Sequence, residues 1–147
     1  MSEQAEARKA IEDILRSESL GVLATHDRGQ PCANLVTFAA SPDLRRIIFP
    51  TRRGTRKFSN LSGDSRVALL IDTRKTGKAK DKINVVTAIG IAREIPQDEY
   101  PDVRKTFLEQ NPDLKSFVEA EDCAIISIEV DVYNLVREFE KVVAVKP

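Results

Sequence analysis

The stretch FPTRRGTRKFSNL, residues 49 to 61, joins the end of an apolar strand to a basic turn and then to the start of a helix. Ile47, Ile48 and Phe49 read as strand, Gly54 relieves the turn, and Thr55 is a suitable N-cap for a short helix that places Phe58 and Leu61 on one face. A helix start presents N–H groups without intrahelical partners, and its dipole favours an anion. Arg52, Arg53, Arg56 and Lys57 add positive charge and donors beside it. Read by itself, the turn fits a phosphate site, and it equally fits a solvated face of four cations.

Outward from this stretch the chain reads mainly as strands. Before it, Ala7, Ala10, Ile11, Ile14 and Leu15 recur at helical spacing and predict an amphipathic helix over residues 4 to 17. Strands are expected at 20 to 25 and 32 to 40, joined by the turn Asp27-Arg28-Gly29-Gln30, and at 46 to 51 after a turn at Ser41-Pro42-Asp43. The short helix at 55 to 61 leads to a strand at 66 to 72. Residues 73 to 82 predict an exposed basic loop, read as a gate or electrostatic guide for an anionic ligand or as a plain solvated loop. A long strand follows at 83 to 95, with Gly90 as a bulge or bend. Helical segments are expected at 98 to 109 and 112 to 118, then strands at 123 to 130, 133 to 137 and 142 to 145. Six to seven antiparallel strands in so short a chain favour a closed or partly closed barrel, because closure removes exposed edges.

Composition bounds the function. The 147 residues suit a single domain spanning 1 to 147, and 41% hydrophobic with 31% charged residues is ordinary for a folded globular chain. The formal net charge is zero but unevenly placed: residues 45 to 57 carry six cations and no anion, and residues 74 to 82 carry five cations against Asp81. Local basic loops on a neutral chain suit a small phosphorylated ligand better than a nucleic acid, whose binders show a broader basic footprint. Cys32 and Cys123 lie far apart without metal-ligand spacing, and His26 is the only histidine, so no metal site and no disulfide framework is expected. The N-terminus has no apolar signal-like run and nothing approaches the ~18 apolar residues of a membrane span, so a cytoplasmic location is expected.

The order of these motifs resembles the pyridoxamine 5'-phosphate-oxidase-like, FMN-binding split β-barrel family. The resemblance rests on LGVLAT at 20 to 25, an Asp-x-Gly turn, a strand opening at Pro31 and holding Asn34 to Phe38, IIFPT at 47 to 51 and TRKFSNLSGDSRVALLID at 55 to 72. It continues more loosely through VVTAIGIAREI at 85 to 95 and the last strands. It implies a mainly β split barrel with an N-terminal helix, a homodimer, and FMN at the subunit interface. By position, Arg56 and Lys57 match the family's phosphate-binding pair, and Thr51 and Thr55 its hydroxyl donors. Pro50 and Thr51 end the strand beside the ribityl chain, while Asn34, Leu35 and Val36 match the segment edging the isoalloxazine ring. Without the resemblance, Asn34 reads as an outward strand residue and Thr55 as a plain cap.

The chain also departs from the family's vitamin B6 oxidases, which carry a C-terminal arginine and histidine pair for the substrate. The corresponding strand here, YNLVREFEKVV at 133 to 143, has no histidine. Three classes remain: an FMN-dependent oxidoreductase of undetermined substrate, a non-catalytic flavin-binding protein, and a relative that binds the deazaflavin F420 or haem. Because a flavin carries its own redox chemistry, the lack of a catalytic triad does not argue against an enzyme.

Overall fold

A computed structural model describes residues 2–77, 79–137 and 141–147, so Lys78 of the expected basic loop lies outside the described residues. Helix α1, Glu3–Ser17, starts where the Ser2 hydroxyl accepts the Ala5 N–H at 3.1 Å, and it buries Ala7, Ile11, Ile14 and Leu15. Strands β1, Leu20–Asp27, and β2, Gln30–Thr37, form a hairpin whose two turn residues, Arg28 and Gly29, have φ of 49° and 87°. Positive φ at both places is the requirement of the tight hairpin turn whose twist matches the strands.

Phe38 interrupts the expected 32 to 40 strand. After it come β3, Ala39–Ala40, then β4, Arg46–Arg52, helix α2, Arg56–Gly63, and β5, Arg66–Asp72. Two short 3₁₀ turns, Arg74–Thr76 and Lys80–Lys82, lie in the basic loop. Strand β6, Val85–Glu94, leads to helices α3, Tyr100–Gln110, and α4, Lys115–Glu119, and the chain ends in β7, Cys123–Arg137, and β8, Lys141–Val145.

All pairings are antiparallel, and the sheet runs β2-β1-β5-β6-β7-β4-β3, with β8 also on β7. The two ends of this order, β2 and β3, are one stretch of chain joined through Phe38, so the sheet curls round until its edges meet. Counting β2 and β3 as one bent strand gives the seven strands of the expected split barrel. The closing seam is short: β3 meets β4 only through Ala39 opposite Ile48 and Ala40 opposite Ile47. The barrel interior holds Leu23, Val36, Phe38, Ile47, Phe49, Leu69, Ile71, Val86, Ile126, Ile128 and Leu135, and α1 packs its apolar face into the same core. A second cluster, with Ile48, Ile95, Tyr100, Phe107, Val118 and Ile125, seats α3 and α4 on the outer side of β4 and β7. No helix among the described residues is long and apolar enough to cross a membrane.

The sequence suggested separate strands at 123 to 130 and 133 to 137, and the structure corrects this to the single strand β7. Its register against β6 slips at one place: Ile89 faces Val132 and Gly90 faces Val130, which leaves Asp131 as the extra residue of a bulge. The bulge presses the strands together at Gly90, where an added Cβ would lie 2.1 Å from the Glu129 carbonyl oxygen. Gly90→Ala is therefore expected to lose ~1 to 3 kcal/mol or more in urea denaturation. Gly63→Ala, where an added Cβ meets nothing within 4 Å, is expected to be neutral or slightly stabilising. Equal midpoints for the two variants would contradict the close-approach account.

Candidate functional site

Beyond the two-pair seam, β2 and β4 separate. At the two ends of β4, the Arg53 N–H donates to Asp122 O and the Arg45 carbonyl accepts the Val130 N–H, both at 2.9 Å, so the odd-numbered residues of the strand turn their backbone groups toward β7. Even-numbered residues face the other way, toward β3 and β2, as the Arg46 carbonyl does in accepting the Ser41 N–H at 2.8 Å. Pro50 is one of these, and it has no N–H to offer across the gap. The ladder with β3 stops at Ile48, next to it.

Just past β2, the Phe38 N–H donates to Ser19 O, so the even-numbered residues of β2 bond to β1. Leu35 and Thr37 thus turn their backbone N–H and C=O toward the gap. They form a free strand edge, because β2 ends the sheet.

A cleft of about 310 Å³ occupies this gap. Its sides are Leu35, Val36 and Thr37 of β2 and Pro50, Thr51 and Arg52 of β4, with Thr55 and Lys57 at one end and Leu114 and Phe117 as a cover. Six of the eight site residues expected from the sequence thus come together: Leu35, Val36, Pro50, Thr51, Thr55 and Lys57. Asn34 is exposed, opposite Leu23, and does not line the cleft. Arg56 is exposed beyond its end and lies 3.8 Å from Asp27. Thr37, Leu114 and Phe117 were missed, and Arg52, read only as one of the cations of the turn, also lines the cleft. Thr37 was legible as the next edge residue, whereas the spacing of Leu114 and Phe117 reads only as packing.

The end of the cleft is the start of α2. Thr55 is the N-cap, its hydroxyl accepting the Phe58 N–H at 3.2 Å and lying 3.3 Å from the Thr51 hydroxyl. The Arg56 and Lys57 N–H groups are the remaining helix-start donors. Lys57 is half-buried, and burial pushes its ammonium pKa down. Among the described residues it has no carboxylate partner.

Its neighbours in the turn differ. Arg52 places one guanidinium nitrogen 2.7 and 2.9 Å from the two Asp122 oxygens and lies over the Phe117 ring, 4.9 Å from its centroid. Arg53 makes a fork with Glu94, at 2.8 and 2.6 Å. The Tyr100 hydroxyl donates to Glu94 and accepts the Ile125 N–H at 3.1 Å. In the basic loop, Arg74 is held by Asp72, and Lys75 donates to Ser17 O at 2.7 Å. These two residues border a second cleft that shares Leu35 with the first. His26 is elsewhere, its Nε2 2.9 Å from Asp64. Both cysteines are free, Cys123 buried and Cys32 half-buried.

A family model described as pyridoxamine 5'-phosphate oxidase matches residues 7–128, and the chain belongs to that family. Solved structures share the fold at low identity. A haem-binding protein from Mycobacterium smegmatis is 20% identical with a TM-score of 0.82, the match covering 92% of this chain and 55% of that one. General Stress Protein 26 from Bacillus anthracis is 16% identical with a TM-score of 0.75, covering 97% and 99%. A FAD-binding protein from Mesorhizobium loti is 15% identical with a TM-score of 0.70, covering 88% and 90%. At these identities the likeness concerns the fold alone, and this chain spans little more than half of the M. smegmatis protein. No curated protein matches the sequence.

The Arg53 fork holds the Glu94 carboxyl below its ordinary pKa, against an opposing effect of burial. A depressed carboxylate stabilises the fold above its unfolded-state pKa, and that contribution is lost as pH falls through the folded value. The stability difference between the parent and Glu94→Gln, read from urea midpoints, is therefore expected to be full above about pH 5 and to shrink on acidification. A difference independent of pH would contradict an ionised Glu94 in this pair.

Proposed function

We propose that residues 1 to 147 form one FMN-binding domain and that the protein is a flavin-dependent oxidoreductase working as a homodimer. The half-buried Lys57, which among the described residues has no acidic partner and stands beside the start of α2, is the main support. A buried ammonium is costly unless an anion accompanies it, and helix-start N–H groups favour the same charge. A phosphate monoester meets both needs, with Thr51 and Thr55 lining the same cleft and the exposed Arg56 next to Lys57 in the chain.

The rest of the cleft suits the remainder of FMN. The backbone edge of Leu35 and Thr37 offers donors and acceptors to a heterocyclic ring, in the manner of an added strand, and Asn34 flanks that edge. Pro50 and Thr51 border the middle of the cleft, and Leu114 and Phe117 supply apolar cover. When bound, the flavin supplies the electron and hydride transfer. The chain's own residues bind the phosphate, orient the ring along β2 and shield one side from water. The substrate is undetermined.

Two features favour a dimer. The outer face of β2, β1, β5 and β6 carries Leu35, Val22 and Leu70 in one cross-strand row and Ala24, Ala68 and Ile89 in the next. Leu35 is 66% and Leu20 52% exposed, and an apolar face of this kind marks an interaction surface. The cleft of one chain, about 310 Å³, is at the low end for cofactor-sized ligands, ~300 to 1,000 Å³. A partner covering Leu35 would enlarge and close it.

Lys57→Ala is expected to weaken FMN by ~1.5 to 3 kcal/mol, roughly ten- to a hundredfold, and to leave riboflavin almost unchanged. Unchanged FMN affinity, or an equal loss for riboflavin, overturns the phosphate assignment. Sedimentation at micromolar concentration is expected to give about twice the 16.4 kDa chain mass, and Leu70→Glu to give a monomer with weaker FMN binding. A parent monomer that binds FMN one to one contradicts the shared site.

A further inference from the structure

We infer that Arg53 is a positioning residue: through its fork with Glu94, braced by Tyr100, it fixes the turn that aims the start of α2 into the cleft, and it does not itself bind the ligand anion. The inference rests on the flavin-phosphate reading of the cleft. Four cations stand together at residues 52 to 57, and simple charge counting would assign all of them to the anion. The geometry separates Arg52 and Arg53 from the half-buried Lys57, and leaves Arg56 exposed, 3.8 Å from Asp27.

Arg52 and Arg53 are neutralised from outside the turn. Asp122, just before β7, takes the guanidinium of Arg52 and, through its carbonyl, the backbone N–H of Arg53. Glu94, the last residue of β6, takes both terminal nitrogens of Arg53. The Tyr100 hydroxyl, at the start of α3, donates to Glu94, accepts from Arg53 at 3.3 Å, and is itself held by the Ile125 N–H.

Two strand ends and a helix start thus grip adjacent residues. A forked guanidinium–carboxylate pair fixes direction as well as distance. The next residues along the chain carry the consequence. The Arg52 carbonyl accepts both the N–H, at 3.2 Å, and the hydroxyl, at 2.9 Å, of the N-cap Thr55, so the turn's position sets that of the cap and of Lys57. Arg53 also lies over the Phe58 ring, 5.7 Å from its centroid, inside the first turn of the helix.

A ligand cation and a positioning cation give opposite signs when the carboxylate is neutralised. If Arg53 served the anion, Glu94→Gln would release a full guanidinium charge at the site and FMN would bind more tightly. If Arg53 acts by holding the turn, the same substitution loosens it and FMN binds more weakly.

The test is fluorescence titration of FMN and of riboflavin into the parent, Glu94→Gln, Arg53→Gln and the double variant, with Tyr100→Phe as a milder change to the same brace. The expected result is a loss in FMN affinity of roughly tenfold for Glu94→Gln, the order seen when a partner that orients a binding group is removed. A similar loss is expected for Arg53→Gln, with no further loss in the double variant and little change for riboflavin. A smaller loss is expected for Tyr100→Phe.

Unchanged or tighter FMN binding by Glu94→Gln, or equal losses for FMN and riboflavin, overturns the inference. Amide hydrogen exchange of the ligand-free proteins separates its failure from failure of the cofactor reading. Residues 55 to 59 are expected to exchange faster in Glu94→Gln than in the parent, whatever the parent binds. Equal protection overturns the inference, whereas a parent that binds no FMN while its variant shows faster exchange overturns only the cofactor reading.

Discussion

Between Ile48 and Arg52, strand β4 has a partner on one side only. Its odd-numbered residues bond to β7, while its even-numbered residues face a gap that begins where the two-pair seam with β3 ends. An unpaired strand edge inside a curled sheet is a cost unless something fills it, and Pro50 lowers that cost by removing one donor at the critical place. The rest of the site follows from this interruption. It frees the edge of β2 at Leu35 and Thr37, opens the cleft, and lets the chain leave β4 directly into the turn that starts α2.

The turn would be a weak platform if left to itself. Its composition is basic and it contains glycine, so its ordering depends on contacts from elsewhere. Arg52 and Arg53 draw those contacts from Asp122 and Glu94, which are 70 and 41 residues away in sequence. Once they are engaged, the cation lining the cleft that has no acidic partner among the described residues is Lys57, and burial already disfavours its charge. Held geometry next to an uncompensated charge is what an anion site requires. On the proposed reading, Arg52 and Arg53 hold the turn while the half-buried Lys57 meets the anion.

Much of this was legible in the residues because it is local. The strands ending at Asp27, Arg52 and Asp72 show alternation or β-branched runs, and Thr55 announces the cap. Gly90 marks a bulge by its lack of a side chain, although the extra residue proved to be Asp131 on the opposite strand. What could not be read is what depends on distant neighbours. The break at Phe38 is invisible in the stretch from 32 to 40, which carries no Gly or Pro to mark it, since only the curl of the whole sheet makes one residue cross between its edges. Phe117 spaces like a core residue, yet it lines the cleft, with Arg52 over its ring. Asn34 was matched by position, but the alternation of β2 turns its backbone to β1 and gives the free edge to Leu35 and Thr37.

We propose that this cleft takes a flavin phosphate rather than another of the ligands to which the same barrel could be fitted. The most direct measurement is a visible absorption spectrum after the protein has been mixed separately with FMN, the deazaflavin F420 and haemin and passed through a size-exclusion column. Retention of FMN near one per chain, with the other two washed away, is the predicted result. Haemin or F420 retained at that stoichiometry, with FMN lost on the column, would contradict the account.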